Sequence, residues 1–208
     1  MSELREFHLR TPLSEEDVRR LKVGDVVYLS GIIVSARDSA HKKVLELIEK
    51  GEKLPIDLKG LALYHVGPVV RRRPDGSWEV VAAGPTTSAR MESVEYDFIE
   101  KTGIRMIIGK GGMGARTAEA CKRFGAVYAV FTGGAAVLAA QAIKRVVDVY
   151  WLDELGMAEA MWVFEVEEFG PLVVTIDSEG RNFYQEREKE ARERVEKEIL
   201  PQLLGLKS

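Results

Sequence analysis

Between Trp78 and Trp151, short β-rich runs alternate with segments of helical period, and this spacing predicts repeated βαβ units around a parallel sheet. Strands are expected at 78–83, 104–108, 126–131 and 146–150, with helices at 91–101, 115–124 and 135–145 between them. Gly103 and Gly125 follow the first two helices, where glycine readily takes the left-handed conformation that ends a helix. Upstream, 26–29 and 32–35 read as strands flanking Ser30-Gly31, and Asp38 reads as the N-cap of a helix ending before Gly51. A further strand is expected at 61–66. Ser14 with Asp17 three positions on matches a capping box, and Pro74-Asp75-Gly76 matches a turn between Val69-Val70 and Trp78.

Downstream, alternation over 161–167 and the apolar run 172–176, split by Gly170-Pro171, predict a hairpin. The last element is a charged helix over about 183–200. Its apolar stripe of Tyr184, Ala191, Val195 and Ile199 is expected to pack on this domain, with docking on a partner as the alternative. No internal repeat or linker interrupts the pattern, so 1–208 is read as one α/β domain.

Composition narrows the class. The 208 residues are 46% hydrophobic and 30% charged with formal net charge -3, values of a soluble globular protein without a general basic footprint for nucleic acid. No run approaches the roughly 20 apolar residues needed to span a bilayer, and the first residues lack a signal-peptide core, so a cytoplasmic location away from membranes is expected. Arg71-Arg72-Arg73 precedes a turn and reads as a solvated hairpin. Cys121, the single cysteine, sits in an Ala-rich helix as a small buried residue. It excludes an internal disulfide and cannot alone hold a four-iron cluster or a structural zinc site.

Chemistry is expected where loops leave the carboxyl ends of parallel strands, because ligands bind at that edge and helix N-termini face them. Three such loops carry Arg37, Arg90 and Lys110, each just before a predicted helix. A cation there opposes the helix macrodipole, which favours an acidic residue by roughly 0.3–1 kcal/mol. An anion held among the three resolves the conflict, with guanidinium groups suited to bidentate carboxylate binding. Gly109-x-Gly111-x-x-Gly114 also satisfies the dinucleotide fingerprint, but the next strand ends Phe131-Thr132-Gly133-Gly134 without the expected carboxylate. Thr86, Thr87 and Ser88 offer more hydroxyls than a helix cap needs, so at least one is assigned to a ligand.

Taken together, Ser35-Ala36-Arg37-Asp38-Ser39-Ala40-His41-Lys42, Gly84-Pro85-Thr86-Thr87-Ser88-Ala89-Arg90-Met91 and Ile108-Gly109-Lys110-Gly111-Gly112-Met113 resemble the signature segments of class I fumarate hydratases. The likeness is to their β subunit, or C-terminal domain, and it continues through Phe131-Thr132-Gly133-Gly134-Ala135-Ala136 and Glu165 to Pro171. The first segment departs slightly, carrying Ser35 and Ser39 where relatives often have Thr and Ala.

The resemblance implies a swivelling β/β/α domain with a mixed, partly parallel sheet. It implies a hydro-lyase active only with an α subunit that binds the 4Fe-4S cluster, so that this chain contributes no metal ligand. By the same resemblance Arg37, Arg90 and Lys110 bind substrate carboxylates, Thr86 is the base, and Thr87 and Ser88 line the pocket. Asp38, His41, Gly109, Gly111 and Gly112 support them. His8 and His65 show no partners in the sequence and are read as structural. Fumarate hydration to (S)-malate is the first expected reaction and L(+)-tartrate dehydration the second. A free-standing carboxylate or nucleotide binding module is the competing class. The expected assembly is a hetero-oligomer with the α subunit, with a homodimer of the chain alone as a second assembly.

Overall fold

The computed structural model describes residues 5–200. Five strands run parallel: β1 (Glu6–Arg10), β2 (Val26–Ser35), β3 (Ala62–Tyr64), β6 (Met106–Gly109) and β7 (Val127–Phe131). Two more, β8 (Ile143–Tyr150) and the long β9 (Met161–Ile176), are antiparallel. The order is β1-β2-β3-β6-β7-β9-β8, and β9 also pairs with β2, so the mixed sheet closes on itself. Helices α1 (Glu15–Arg19), α2 (Asp38–Glu49), α3 (Glu92–Thr102), α4 (Ala115–Phe124), α5 (Ala136–Ala142), α6 (Leu152–Leu155) and α7 (Phe183–Arg194) complete the α/β architecture, and a 3-10 turn (Ser88–Met91) leads into α3.

Both faces of the central strands are buried, which is why their sequences read as continuous apolar runs and not as alternations. Ala62, Tyr64, Met106, Ile108, Val127 and Ala129 point into a core enclosed by the curled sheet. Their alternates Leu63, Ile107 and Tyr128 face the helix layer of α2, α3 and α4, where Val44, Phe98, Ile99 and Ala120 meet them. The period of two thus sorts one apolar run into two cores.

Several predicted elements hold and several change. The Ser14–Asp17 capping box is present, and Gly103 and Gly125 end α3 and α4 in the left-handed conformation. Asp38 opens α2 as its first residue, while Arg37 is the N-cap. The strand expected at 78–83 is not in the parallel sheet. As β5 (Trp78–Ala82) it pairs antiparallel with β4 (Val69–Arg72) in a separate ribbon turned at Pro74-Asp75-Gly76. The helix expected at 135–145 stops at Ala142, and β8 follows at once; the short 151–160 connection then makes it antiparallel to β9, since a parallel neighbour needs a longer crossover.

Two expected turns lie at bulges of β9. Ser30 lies inside β2, where it alone opposes Glu167 and Glu168 of β9 while Gly31 pairs with Val166, and Gly170-Pro171 lies inside β9, where the two residues oppose Tyr28 alone. A bulge leaves one residue outside the ladder, which lets proline, lacking an N–H, sit within a paired strand. Of the stripe expected to pack on this domain, Tyr184 lies against Gly112, whereas Val195 and Ile199, beyond the end of α7, are about 40% exposed. No helix among the described residues is long and apolar enough to cross a membrane.

Candidate functional site

Because β2, β3 and β6 run parallel, their carboxyl ends deliver Arg37, His65 and Lys110 to one edge of the sheet. The segment Pro85–Ser88 is laid across these ends. The Thr86 N–H donates to the His65 carbonyl at 2.8 Å and the Ser88 N–H to the Lys110 carbonyl at 3.1 Å. Single bridges join Pro85 to Val66 and Thr87 to Lys110. The Arg90 guanidinium donates to the Asp38 carboxylate, tying the 3-10 turn to the start of α2. Contacts that are remote in sequence therefore bring all three predicted loops together.

The two guanidinium groups are held by carboxylates of this chain. Arg37 Nε lies 3.2 Å from Glu159, whose other oxygen accepts from the Ser39 N–H at 2.9 Å. Glu159 thus offsets both the Arg37 charge and the exposed N-terminus of α2, a conflict the sequence attributes to an external anion. Gly67 lets Arg37 approach: a Cβ there would sit 2.7 Å from Nη1. A guanidinium has five N–H donors, so a single ionic contact leaves most of them for an incoming anion. Lys110 is exposed, and its stem passes over Gly133.

The glycine loop does not form a phosphate cradle. The Glu92 carboxylate accepts from the N–H groups of Gly114 at 2.6 Å, Arg116 at 3.1 Å and Thr117 at 3.3 Å, and from the Thr117 hydroxyl at 2.7 Å. It fills the N-terminus of α4, the position a dinucleotide pyrophosphate takes in the fingerprint. Tyr128 donates to the Gly111 carbonyl, Asn182 to that of Met113, and the Tyr184 ring lies against Gly112. The loop is packed down as a support for Lys110. Glu92→Ala is expected to cost about 1–3 kcal/mol, since it removes an N-cap and leaves buried donors unpaired; chemical denaturation of the chain measures this, and a loss below about 0.5 kcal/mol would contradict the capping role.

The three hydroxyl residues separate. Thr86 is half-buried and Thr87 exposed at the edge, and Thr87, at the N-cap of the 3-10 turn, makes no side-chain cap bond. Ser88, expected to line the pocket, is fully buried. Its Oγ lies 2.9 Å from His65 Nδ1 and accepts from the Lys110 N–H at 3.3 Å. It holds the edge from beneath instead of facing a ligand.

Below this edge lies Glu95, which the linear reading missed, between two histidines that it read as a support and as structural. His65 is fully buried, and its Nε2 is 3.1 Å from Glu95, also fully buried. His41 is buried too, placing Nδ1 2.8 Å from the Arg37 carbonyl and Nε2 3.4 Å from the same Glu95 oxygen. The expected support of Arg37 by His41 is therefore made through the backbone. Burial pushes His65 below its ordinary value, partly offset by Glu95. Burial alone would raise Glu95, but the two imidazoles facing it outweigh that and hold it low. One signal was available in the sequence: Glu95 falls on the same helical face as the buried Met91, Phe98, Ile99 and Thr102. Glu92, Glu159 and Gly67 offered none, because their partners are distant in the chain.

Cys121 is buried, and burial pushes its thiol well above the usual range, so the residues of this chain do not fit an iron-sulfur cluster. A concavity of about 600 Å³ lies away from the edge between the β4–β5 ribbon, α5 and β8. Among the cations around it, Arg71 pairs with Glu79 and Arg145 with Glu165, which leaves little charge for an anionic ligand.

Comparison with known proteins places this edge in context. The family model described as the fumarase C-terminus matches residues 1–187. The L(+)-tartrate dehydratase subunit beta of Escherichia coli (strain K12) is 47% identical over 194 residues, covering 92% of this chain and 94% of that protein. The putative L(+)-tartrate dehydratase subunit beta of Methanocaldococcus jannaschii is 48% identical, covering 93% and 96%. The putative class I fumarate hydratase of Geobacillus stearothermophilus is 45% identical over 93% of this chain but only 36% of that longer protein.

Proposed function

The chain belongs to the fumarase C-terminus family, and on that premise we propose that it is the β subunit of a hydro-lyase that grips a four-carbon dicarboxylate at the Arg37–Arg90–Lys110 edge. The observation that carries this reading is the seating of Pro85–Ser88 on the ends of β3 and β6. That seating bonds the Thr86 N–H to the His65 carbonyl and pairs its neighbour Thr87 with Lys110, while Arg90 follows in the 3-10 turn.

In this reading the guanidinium groups of Arg37 and Arg90 and the Lys110 ammonium bind the two carboxylates and fix the substrate's orientation. Thr86 takes the proton from the carbon next to the one that loses hydroxide. A threonine hydroxyl is a weak base at neutral pH, so its alkoxide needs the neighbouring cations for stabilisation. The partner α subunit is assigned the cluster that activates the leaving hydroxyl. Cytoplasmic location and the hetero-oligomer with that subunit belong to the same proposal.

For the substrate, the separate β subunits that resemble this chain along its length carry the name L(+)-tartrate dehydratase, and we place L(+)-tartrate ahead of (S)-malate and fumarate. The fumarate reading keeps support from the class I fumarate hydratase relative. The deciding experiment is anaerobic reconstitution with the α subunit and a substrate panel. A kcat/KM for L(+)-tartrate above that for (S)-malate supports the first substrate, the reverse order supports fumarate hydration, and turnover of neither overturns the hydro-lyase assignment.

Replacing Arg37 or Arg90 by alanine in the same pair is expected to raise KM by roughly 10- to 150-fold, the equivalent of one charged hydrogen bond worth about 1.5–3 kcal/mol. An unchanged KM in both variants would remove them from the binding site.

A further inference from the structure

Glu95 has an environment that its fold alone does not require. A fully buried carboxylate lies between two fully buried imidazoles, both of whose Nε2 atoms approach the same oxygen, Oε2, at 3.1 and 3.4 Å. The two contacts are ion-pair approaches, and neither the inner nitrogens nor either Glu95 oxygen has a hydrogen-bond partner in this geometry. An unpaired charge is costly to bury, so the cluster must hold enough protons to neutralise itself.

The outer contacts decide where those protons sit. A carbonyl only accepts, so His41 Nδ1 carries a proton toward Arg37, and the proton facing Glu95 is one shared between His41 Nε2 and the carboxylate. On the other side, His65 carries its proton on Nε2, facing Glu95 at 3.1 Å, and its Nδ1 accepts from the Ser88 hydroxyl. Ser88 Oγ in turn accepts the Lys110 N–H. This assignment gives each imidazole nitrogen a role, leaves Glu95 Oε1 unpartnered and leaves no net charge buried.

We infer that Ser88, His65, Glu95 and His41 form a buried proton-sharing bridge that locks the Arg37 loop, the Thr86–Ser88 segment and the Lys110 loop in mutual register, with Glu95 as a positioning residue for the hydro-lyase reaction. The kinetic part rests on the hydro-lyase reading; the bridge itself does not. The bridge ends directly on the backbone of Arg37 and one residue from the Thr87–Lys110 contact. A small misplacement there would disturb the anion-binding groups and Thr86 together, and errors near 1 Å in reacting groups cost on the order of 100-fold in rate. Other titratable groups near the bridge are Asp38, which acts on His65, and Cys121 and Tyr128, which feel Glu95. Phe98 covers His41 at 4.6 Å between ring centroids.

A cation is the competing occupant, because the three donor atoms lie within 4.8 Å of one another. Separations of 3.1 and 3.4 Å are also those of neighbouring ligands on one ion, so metal content is the discriminating measurement.

The test has two independent parts. Proton NMR of the full-length chain, with nitrogen-15 in the imidazoles, is expected to show a far-downfield shared proton on a histidine Nε2 that vanishes in Glu95→Gln. Its absence in the parent overturns the bridge, whatever the enzyme does. A stoichiometric transition metal in the purified chain, lost in Glu95→Gln, overturns it as well. In the reconstituted pair, Glu95→Gln is expected to lower kcat/KM about 10- to 100-fold and to move the acid limb of the pH–rate profile. If that variant does not fold, Ser88→Ala, which removes only the hydroxyl end of the bridge, is expected to lower kcat/KM at least several-fold. Parent-like kcat/KM and pH profile in the folded variants overturn the positioning role. A parent pair with no hydro-lyase activity overturns the function while the NMR result still judges the bridge.

Discussion

Thr86→Ala, assayed in the reconstituted pair, is expected to lower kcat by about 100- to 10,000-fold, the usual contribution of a positioned general base, while KM for the dicarboxylate stays within a few-fold. The split follows from the geometry. The Thr86 backbone, not its side chain, is bonded to His65, so alanine leaves the segment seated and the cations in place. Thr86→Ser, which keeps the hydroxyl, is expected to retain most of the activity. If Thr86→Ala keeps kcat within about threefold of the parent, the base must be sought on the α subunit, and this chain is left with binding alone.

A large structural effect is also expected of Gly109→Ala. A Cβ at this position would overlap Ser88 Oγ and lie 3.2 Å from His65 Nδ1. Both neighbours are fully buried and neither is the free end of a flexible side chain. Overpacking of this kind typically costs about 1–3 kcal/mol, and for a chain of this size each kcal/mol lowers Tm by roughly 2–4 °C. Activity in the pair should fall with stability, because the clash displaces Ser88 and with it the Thr86 segment. Combining Gly109→Ala with Ser88→Ala removes the overlapping oxygen, so the double variant should be more stable than the two single losses add to. Thermal melts and denaturant titrations of the four chains measure this; simple additivity would show that the close approach is not what demands glycine.

The parts of the molecule that could be read from the sequence share a physical character. The Ser14 capping box, the glycines ending α3 and α4 and the turn at Pro74-Asp75-Gly76 each depend on residues within a few positions of one another, and local chemistry decides them. Arg37, Arg90 and Lys110 were legible for a related reason. Each breaks a local rule by placing a cation before a helix, and all three do lie at the strand-end edge. The segments that failed were those where pairing partners decide the outcome. The period of an apolar run predicted strands at 78–83 and 146–150, but not that one joins a detached ribbon and the other runs antiparallel to β9. Ser30-Gly31 and Gly170-Pro171 carry turn residues, yet both stay within paired strands, the first opposite a bulge of β9 and the second inside one.

From the chain order alone, then, followed the α/β class, the parallel strands at 104–108 and 126–131, the cationic loops and the inability of one cysteine to hold a cluster, since each is a property of spacing or residue type. Tertiary structure alone decided that Glu92 fills the glycine-loop helix, that Glu159 and Asp38 hold the two arginines, and that Glu95 lies between His41 and His65. Those contacts join residues far apart in the chain, and the strengths of buried charges and hydrogen bonds depend on which distant groups folding brings within a few ångströms.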